Sequence, residues 1–250
     1  MVEHIDLSKV LFLDIECVSG KASYDELSDE MKYLWKLKSK FVLKKYDEEV
    51  TDEDAAAAYK EKAGIYAEFG KIVCISVGIV NRNPQTKELF VRLKSFASEN
   101  EKELLKDFSE LVIQYYSKID THFFCGHNIK EFDIPYMCRR LLINQMPIPY
   151  AMDSRGKKPW ETKNYLDTLE LWKFGDYKNY TSLKLLCAVF GFPSPKDDID
   201  GSEVGRVFWE ENDLPRISKY CEKDVLATVK LLLKYRRDDL LKEEQIVFVE

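Results

Sequence analysis

The sequence predicts an α/β protein built on a mixed β-sheet, and three observations carry that prediction. Val10–Glu16, read V-L-F-L-D-I-E, is a short apolar run of the kind that forms a buried central strand. Gly70–Val80 and Lys87–Lys94 are β-branched or alternating stretches joined by the turn-forming Asn81–Thr86, N-R-N-P-Q-T. After them helical spacing takes over, interrupted by one more short apolar stretch at Thr121–Cys125. The resulting order is strand, helical segment, strand, strand, helix, strand, which suits a mixed sheet with helices packed on it.

Ser19-Gly20 closes the first strand with a turn, and the chain from about Asp25 to Glu68 reads as helical. Ser28 followed by Asp29-Glu30 is an N-terminal signature, and Thr51-x-x-Asp54 is a capping box opening Ala55–Tyr59. The first of these helices carries Lys32, Lys36, Lys38, Lys40, Lys44 and Lys45 among Leu34, Trp35, Phe41 and Val42. Those lysines form either a solvated face or a basic helix leaning over a phosphate backbone. Residues 21–69 are therefore expected to be a helical insertion after the first strand. Ser98-x-x-Glu101 reads as a second capping box, leading a helix with Leu104, Leu105, Phe108, Leu111 and Val112 at helical spacing. The remainder reads as mainly helical: Ile134–Ile143, a loop through Pro147–Trp160, then helices over Tyr165–Phe174, Ser182–Phe190 closed by Gly191, Gly201–Glu210, and Leu214–Arg236. No repeat or low-complexity linker divides the chain, so residues 1–250 are expected to form a single domain.

Composition narrows the class. A chain with 45% hydrophobic and 33% charged residues is neither a membrane protein nor a disordered one. No run approaches 18 apolar residues, and M-V-E-H-I-D lacks a basic region followed by an apolar one, so a cytoplasmic location without membrane partners is expected. Cys17, Cys74, Cys125, Cys138, Cys187 and Cys221 are scattered without zinc spacing and read as reduced core thiols. The net charge of −6 argues against holding nucleic acid through bulk positive field. It does not argue against nucleic acid as such, because an active site of carboxylates is itself negative and a bound metal reverses the local sign.

Asp14 and Glu16, at i and i+2 of a strand, point to one face. Two like charges buried together need a counter-charge, and a hard divalent cation such as Mg²⁺ or Mn²⁺ supplies it through oxygen ligands. The alternative is a strand that has run out into solvent. In Gly126–Pro135, G-H-N-I-K-E-F-D-I-P, Asp133 lies near a helix start and is either a cap or a site carboxylate, with His127 and Asn128 as loop polars. Tyr220 and Asp224, at i and i+4, share one helical face beside Ile217, Val225, Leu226, Val229 and Leu232. They are either a packed phenol with a surface acid or part of a buried site. Asp167 fits a helix cap as well as it fits a site.

The order D-x-E, N-x-x-x-F-D, Y-x-x-x-D resembles the DEDD superfamily of 3′–5′ exonucleases in its tyrosine-bearing branch. It is similar to the proofreading exonuclease domain of family-B DNA polymerases and to stand-alone bacterial relatives of that domain. The resemblance implies an RNase H-like fold, a mixed five-stranded sheet flanked by helices with the metal site at the end of its first strand. It implies that Asp14 bridges two divalent ions, Mg²⁺ or Mn²⁺, with Glu16 and Asp224 on the first and Asp133 on the second. Tyr220 would orient the attacking water, and Asn128 and Phe132 would touch the terminal nucleotide. The expected activity is metal-dependent release of 5′-mononucleotides from 3′ ends of single-stranded DNA. Rivals are the same chemistry on RNA, and a non-catalytic nucleic-acid-end binder or scaffold. The motifs do not require the insertion at 21–69, and no polymerase domain follows them in the chain.

Overall fold

The computed structural model describes residues 2–249 apart from 177, 179 and 195–197. Its framework is a six-stranded mixed sheet. The strands are β1 (Val10–Ser19), β2 (Gly70–Arg82), β3 (Leu89–Ala97), β4 (Phe123–Gly126), β5 (Tyr165–Asp167) and β6 (Ile246–Phe248), arranged β5-β4-β1-β2-β3-β6. β2 pairs antiparallel with β1 and with β3, while the β1–β4, β4–β5 and β3–β6 pairings are parallel.

The apolar run before Asp14 follows from this position. A strand with neighbours on both edges and helices on both faces has no solvent side, so alternation disappears. Leu11, Leu13 and Ile15 enter a core shared with α3 (Glu101–Tyr115) and α4 (Asp133–Ile143). Val10 and Phe12 enter another, lined by Val225 and Val229 of the long helix α8 (Leu214–Arg236).

Residues 21–69 carry α1 (Asp29–Val42) and α2 (Asp52–Lys62), with a small core of their own. Trp35 is fully buried there, its Nε1–H donating to the Ala55 carbonyl at 2.8 Å and its ring edge-on to Tyr59 at 5.4 Å. Ser28 caps α1, and the Thr51–Asp54 capping box forms in both directions. Chain entry and exit coincide: the Gly20 N–H donates to the Phe69 carbonyl at 2.7 Å. Of the basic-helix lysines, Lys36 and Lys45 are ion-paired to Asp52 and Asp54, and Lys38 lies 4.5 Å over the Tyr66 ring. These three serve the insertion itself. Tyr33, Leu34, Leu37 and Phe41 are exposed along the same helix.

Four local readings are corrected. The sheet has six strands rather than five, because β6, beyond the last helix, adds to the edge of β3. Tyr165–Asp167 is a strand, and only Thr168–Lys173 (α5) is helical. Three residues are too few for period 2 to be told from period 3.6. Gly201–Glu210 is not one helix: α7 (Val204–Arg206) runs into a π-helical turn, Val207–Glu211, that places Trp209 Nε1–H on the Ser19 carbonyl and hydroxyl at 3.2 and 3.0 Å. The Ser98–Glu101 capping box does not form, since Asn100 caps α3. Glu101 instead takes a forked pair of bonds from Arg140 of α4, at 2.8 and 2.5 Å, and accepts from the Ile72 N–H at 2.7 Å. A bidentate charge-assisted pair outweighs one backbone cap. The predicted Ser182–Phe190 helix is present as α6 (Leu183–Val189), and the final helix has the predicted bounds.

Candidate active site

On the α8-facing side of β1, Phe12 packs into one apolar cluster and Val18 into another. Asp14 and Glu16 occupy the gap between the two clusters. α8 spans both clusters, with Val225 and Val229 in the first and Ile217, Tyr220 and Cys221 in the second. Helical spacing therefore aims Tyr220, Cys221 and Asp224 into the gap. The Cys221 Sγ lies 3.4 Å from the Asp14 carbonyl oxygen and 3.7 Å from its Oδ2. Carboxylate oxygens of Asp14 and Glu16 and that sulfur all lie within 4.8 Å of one another. A register shift between Glu16 and Cys17 ends the regular pairing just past the second carboxylate.

The fourth carboxylate arrives from the opposite side of the strand end. Asp133 is the first residue of α4 and is buried. Burial pushes its carboxyl up to about 7, and the charges of Asp167 and Asp224 add to that. Its own N–H and that of Ile15 on β1 pull the other way. Asp14 is held well above the usual carboxylate range, first by burial and then by Asp224, Asp133 and Glu16. Tyr220 is raised far above an ordinary phenol by burial, by the charges of Asp224, Glu16 and Asp14, and by a hydrogen bond to Asp224. It is a neutral donor across the physiological range. The fold thus brings Asp14, Glu16, Asp133, Tyr220 and Asp224 to one place.

The loop before Asp133 is held by Asp167. That side chain accepts from the N–H groups of Asn128 and Lys130 at 3.0 and 3.1 Å, and from Leu169 and Glu170 at 2.9 and 3.3 Å. It is both the cap of α5 and the clamp on the motif loop. Asn128 sits in the left-handed region, φ 69°. His127 spans the Thr168 hydroxyl and the Thr181 carbonyl, each at 3.0 Å, and burial lowers its basicity. Phe132 is half-buried with its ring 5.4 Å from Tyr136. The sequence reading missed Asp167 as a clamp and Cys221 as a neighbour of Asp14. The latter was visible as the residue three before Asp224 on the same helical face.

Raised carboxyls give a signed pH dependence. An unfolded Asp ionises near 3.9, whereas Asp133 in the fold holds its proton up to about 7. Between those values folded Asp133 binds more protons than the unfolded residue, so its contribution makes stability fall as pH rises and levels off above about pH 7. We expect the metal-free melting temperature to drop between about pH 5 and 7 and added Mn²⁺ to remove the drop. A slope unchanged in Asp133→Asn would assign the effect elsewhere.

Comparison with known proteins decides the family. Residues 65–246 match the family described as a predicted 3′–5′ exonuclease related to the exonuclease domain of PolB. The chain belongs to that family. Asp14 and Glu16 precede the matched span, and it is the β1–β2 pairing, Asp14 opposite Ser76 and Glu16 opposite Cys74, that places them against it. The chain is also similar to a viral protein, DNA polymerase 120R of Invertebrate iridescent virus 3, to which it is 28% identical over 170 residues. Those residues are 54% of this chain and 14% of the viral protein. In fold, the chain is similar to the family B DNA polymerase of the archaeon Pyrobaculum calidifontis, with TM-score 0.53 and 17% identity. That match covers 90% of this chain and 24% of the polymerase, so this PolB-type exonuclease spans a minor part of either relative.

Proposed function

We propose that this chain is a metal-dependent 3′–5′ exonuclease that releases 5′-mononucleotides from single-stranded DNA ends by two-metal-ion chemistry. The observation that carries the reading is the convergence of Asp14, Glu16, Asp133 and Asp224, with Asp14 and Asp133 raised above the usual carboxylate range by burial and by their acidic neighbours. An all-oxygen carboxylate set fits Mg²⁺ or Mn²⁺, with Asp14, Glu16 and Asp224 around one ion and Asp133 toward a second. Bound there, the ions supply Lewis-acid stabilisation of the phosphoryl group and a more acidic water.

The chain's own groups do the rest. Tyr220, neutral and hydrogen-bonded to Asp224, positions water with its hydroxyl rather than acting as a base. Phe132 offers a ring on which any terminal base stacks. Asn128, whose backbone Asp167 holds, supplies a polar contact to that nucleotide.

Gel-resolved digestion of labelled single-stranded, duplex, mismatched and RNA substrates tests the proposal. Single-stranded DNA should be shortened from its 3′ end with Mg²⁺ or Mn²⁺ and left intact with chelator. Faster trimming of RNA than of matched DNA would reassign the substrate, and metal-independent cleavage would remove the mechanism.

Tyr220→Phe tests the positioning role. It keeps the ring, the helix and every carboxylate, so Mn²⁺ affinity should persist while kcat falls by something on the order of 10²-fold. Asp224→Ala should instead weaken Mn²⁺ binding itself. Calorimetric titration of both variants beside their kcat separates the two. Loss of metal in Tyr220→Phe, or its retention with full activity in Asp224→Ala, would mean that α8 does not serve the site in this way.

A further inference from the structure

We propose that Cys221 is a thiolate ligand that lets this site bind a borderline divalent ion such as Zn²⁺ together with Asp14 and Glu16, in competition with the hard ion. The inference rests on the carboxylate-site reading above and adds to it a residue that selects among metals.

Cys221 is fully buried and follows Tyr220 on α8, one turn before Asp224 and on its face. Its Sγ is 3.7 Å from Asp14 Oδ2. A tetrahedral Zn²⁺ bound about 2.3 Å from sulfur and about 2.0–2.2 Å from oxygen separates those two ligands by roughly 3.6 Å. Asp14 and Cys221 therefore already span one edge of such a tetrahedron without moving. Glu16, whose oxygen lies within 4.8 Å of both, closes the third position by swinging inward. Three protein ligands with a fourth position open is the arrangement of a zinc site that still admits water or substrate.

Ligand softness makes the choice. Mg²⁺ takes oxygen and gains nothing from sulfur, whereas Zn²⁺ and Co²⁺ accept thiolate readily, and Zn²⁺ outranks Mn²⁺ in general affinity. On binding, the Cys221 proton, now directed at the Asp14 carbonyl oxygen, passes to solvent and the sulfur bonds the ion. No electron is transferred. Behind it the Cys74 thiol lies in contact with Cys221, with Ser76 Oγ at 3.6 Å and Ser218 Oγ at 3.9 Å from its own sulfur. That contact gives the ligand sulfur an outer partner of the kind that fixes metal ligands in place.

The test is a titration of reduced, metal-stripped full-length protein with Co²⁺, followed by the near-ultraviolet thiolate-to-cobalt charge-transfer band. Wild type should show the band at one ion per chain, and both Cys221→Ser and Asp14→Asn should lack it. Zn²⁺ affinity should fall by more than about 100-fold in Cys221→Ser, since losing even an outer partner costs 10–100-fold. Mn²⁺ affinity in the same variant should stay at the wild-type value. Absence of the band in wild type, or its persistence in either variant, overturns the assignment. Asp14→Asn keeps every thiol, so it decides the matter even if Cys221→Ser does not fold. Mn²⁺ binding that depends on Asp14 without any thiolate band removes this inference alone, whereas wild-type protein that binds neither ion removes the carboxylate-site reading with it.

Discussion

Asp14→Asn is expected to abolish exonuclease activity, by something on the order of 10⁴-fold or more, because a group that acts as a unit fails when one member is lost. The same change should raise the melting temperature of the metal-free protein. Burial, and then three neighbouring carboxylates, hold the Asp14 carboxyl well above the usual range. An amide of the same shape removes the cost of keeping an ionisable acid buried there, and each 1 kcal/mol relieved is worth about 2–4 °C for a chain of this size. Mn²⁺ should stabilise wild type and leave the variant unmoved. Thermal shift with chelator and with Mn²⁺, beside a digestion assay, reads all three outcomes. A variant that still cleaves in a metal-dependent way would sink the assignment of Asp14.

The second large effect concerns stability alone. Arg140→Met should lower stability by about 3–5 kcal/mol, the usual cost of leaving a buried charge without its partner. Glu101 and Arg140 are 8% and 11% exposed, and the pair sits where three parts of the fold meet. Glu101 accepts from Ile72 of β2 and from Asn144 after α4, while Arg140 also donates to the Ala67 carbonyl at the end of the insertion, 2.7 Å away. Urea unfolding should show a lower midpoint with unchanged slope. The double variant Glu101→Gln, Arg140→Met should recover part of the loss, since it buries no orphan charge. A single variant within about 1 kcal/mol of wild type would show the pair to be solvated after all.

What was legible in the sequence was whatever depended on short spacing. D-x-E on an apolar run, Tyr220 four before Asp224, and Asp133 at a helix start each fix a direction through backbone geometry alone, and the fold brings them together. What was not legible depended on partners distant in the chain. Glu101 had the local signature of a capping box, but Arg140, remote in sequence, claimed it. Asp167 looked like a cap and is one, yet its hold on Asn128 and Lys130 is invisible without the β4–β5 pairing. Cys221 passed as a core thiol although its place three residues before Asp224 already put it on the site-facing side of α8; only the fold shows that Asp14 lies across from it. β6 shows no strand periodicity of its own at three residues and exists because the edge of β3 offers it a register.

The single hydrogen bond from Gly20 to Phe69 also bears on how such a protein changes over time. Chain departure and return share one point at the end of the β1–β2 pair, with Ser19 opposite Gly70, so to the sheet everything between them is one hairpin connection. The closure entropy of a connection grows only with the logarithm of its length, about 0.6 kcal/mol per doubling. Lengthening, shortening or exchanging the helical module therefore costs the hydrolytic centre little. The limits are the few bonds that orient it, from Tyr136 to Gly64, Arg140 to Ala67 and Lys60 to Glu210. Changes in the length or make-up of this appendage are therefore expected to leave the carboxylates one strand away in place.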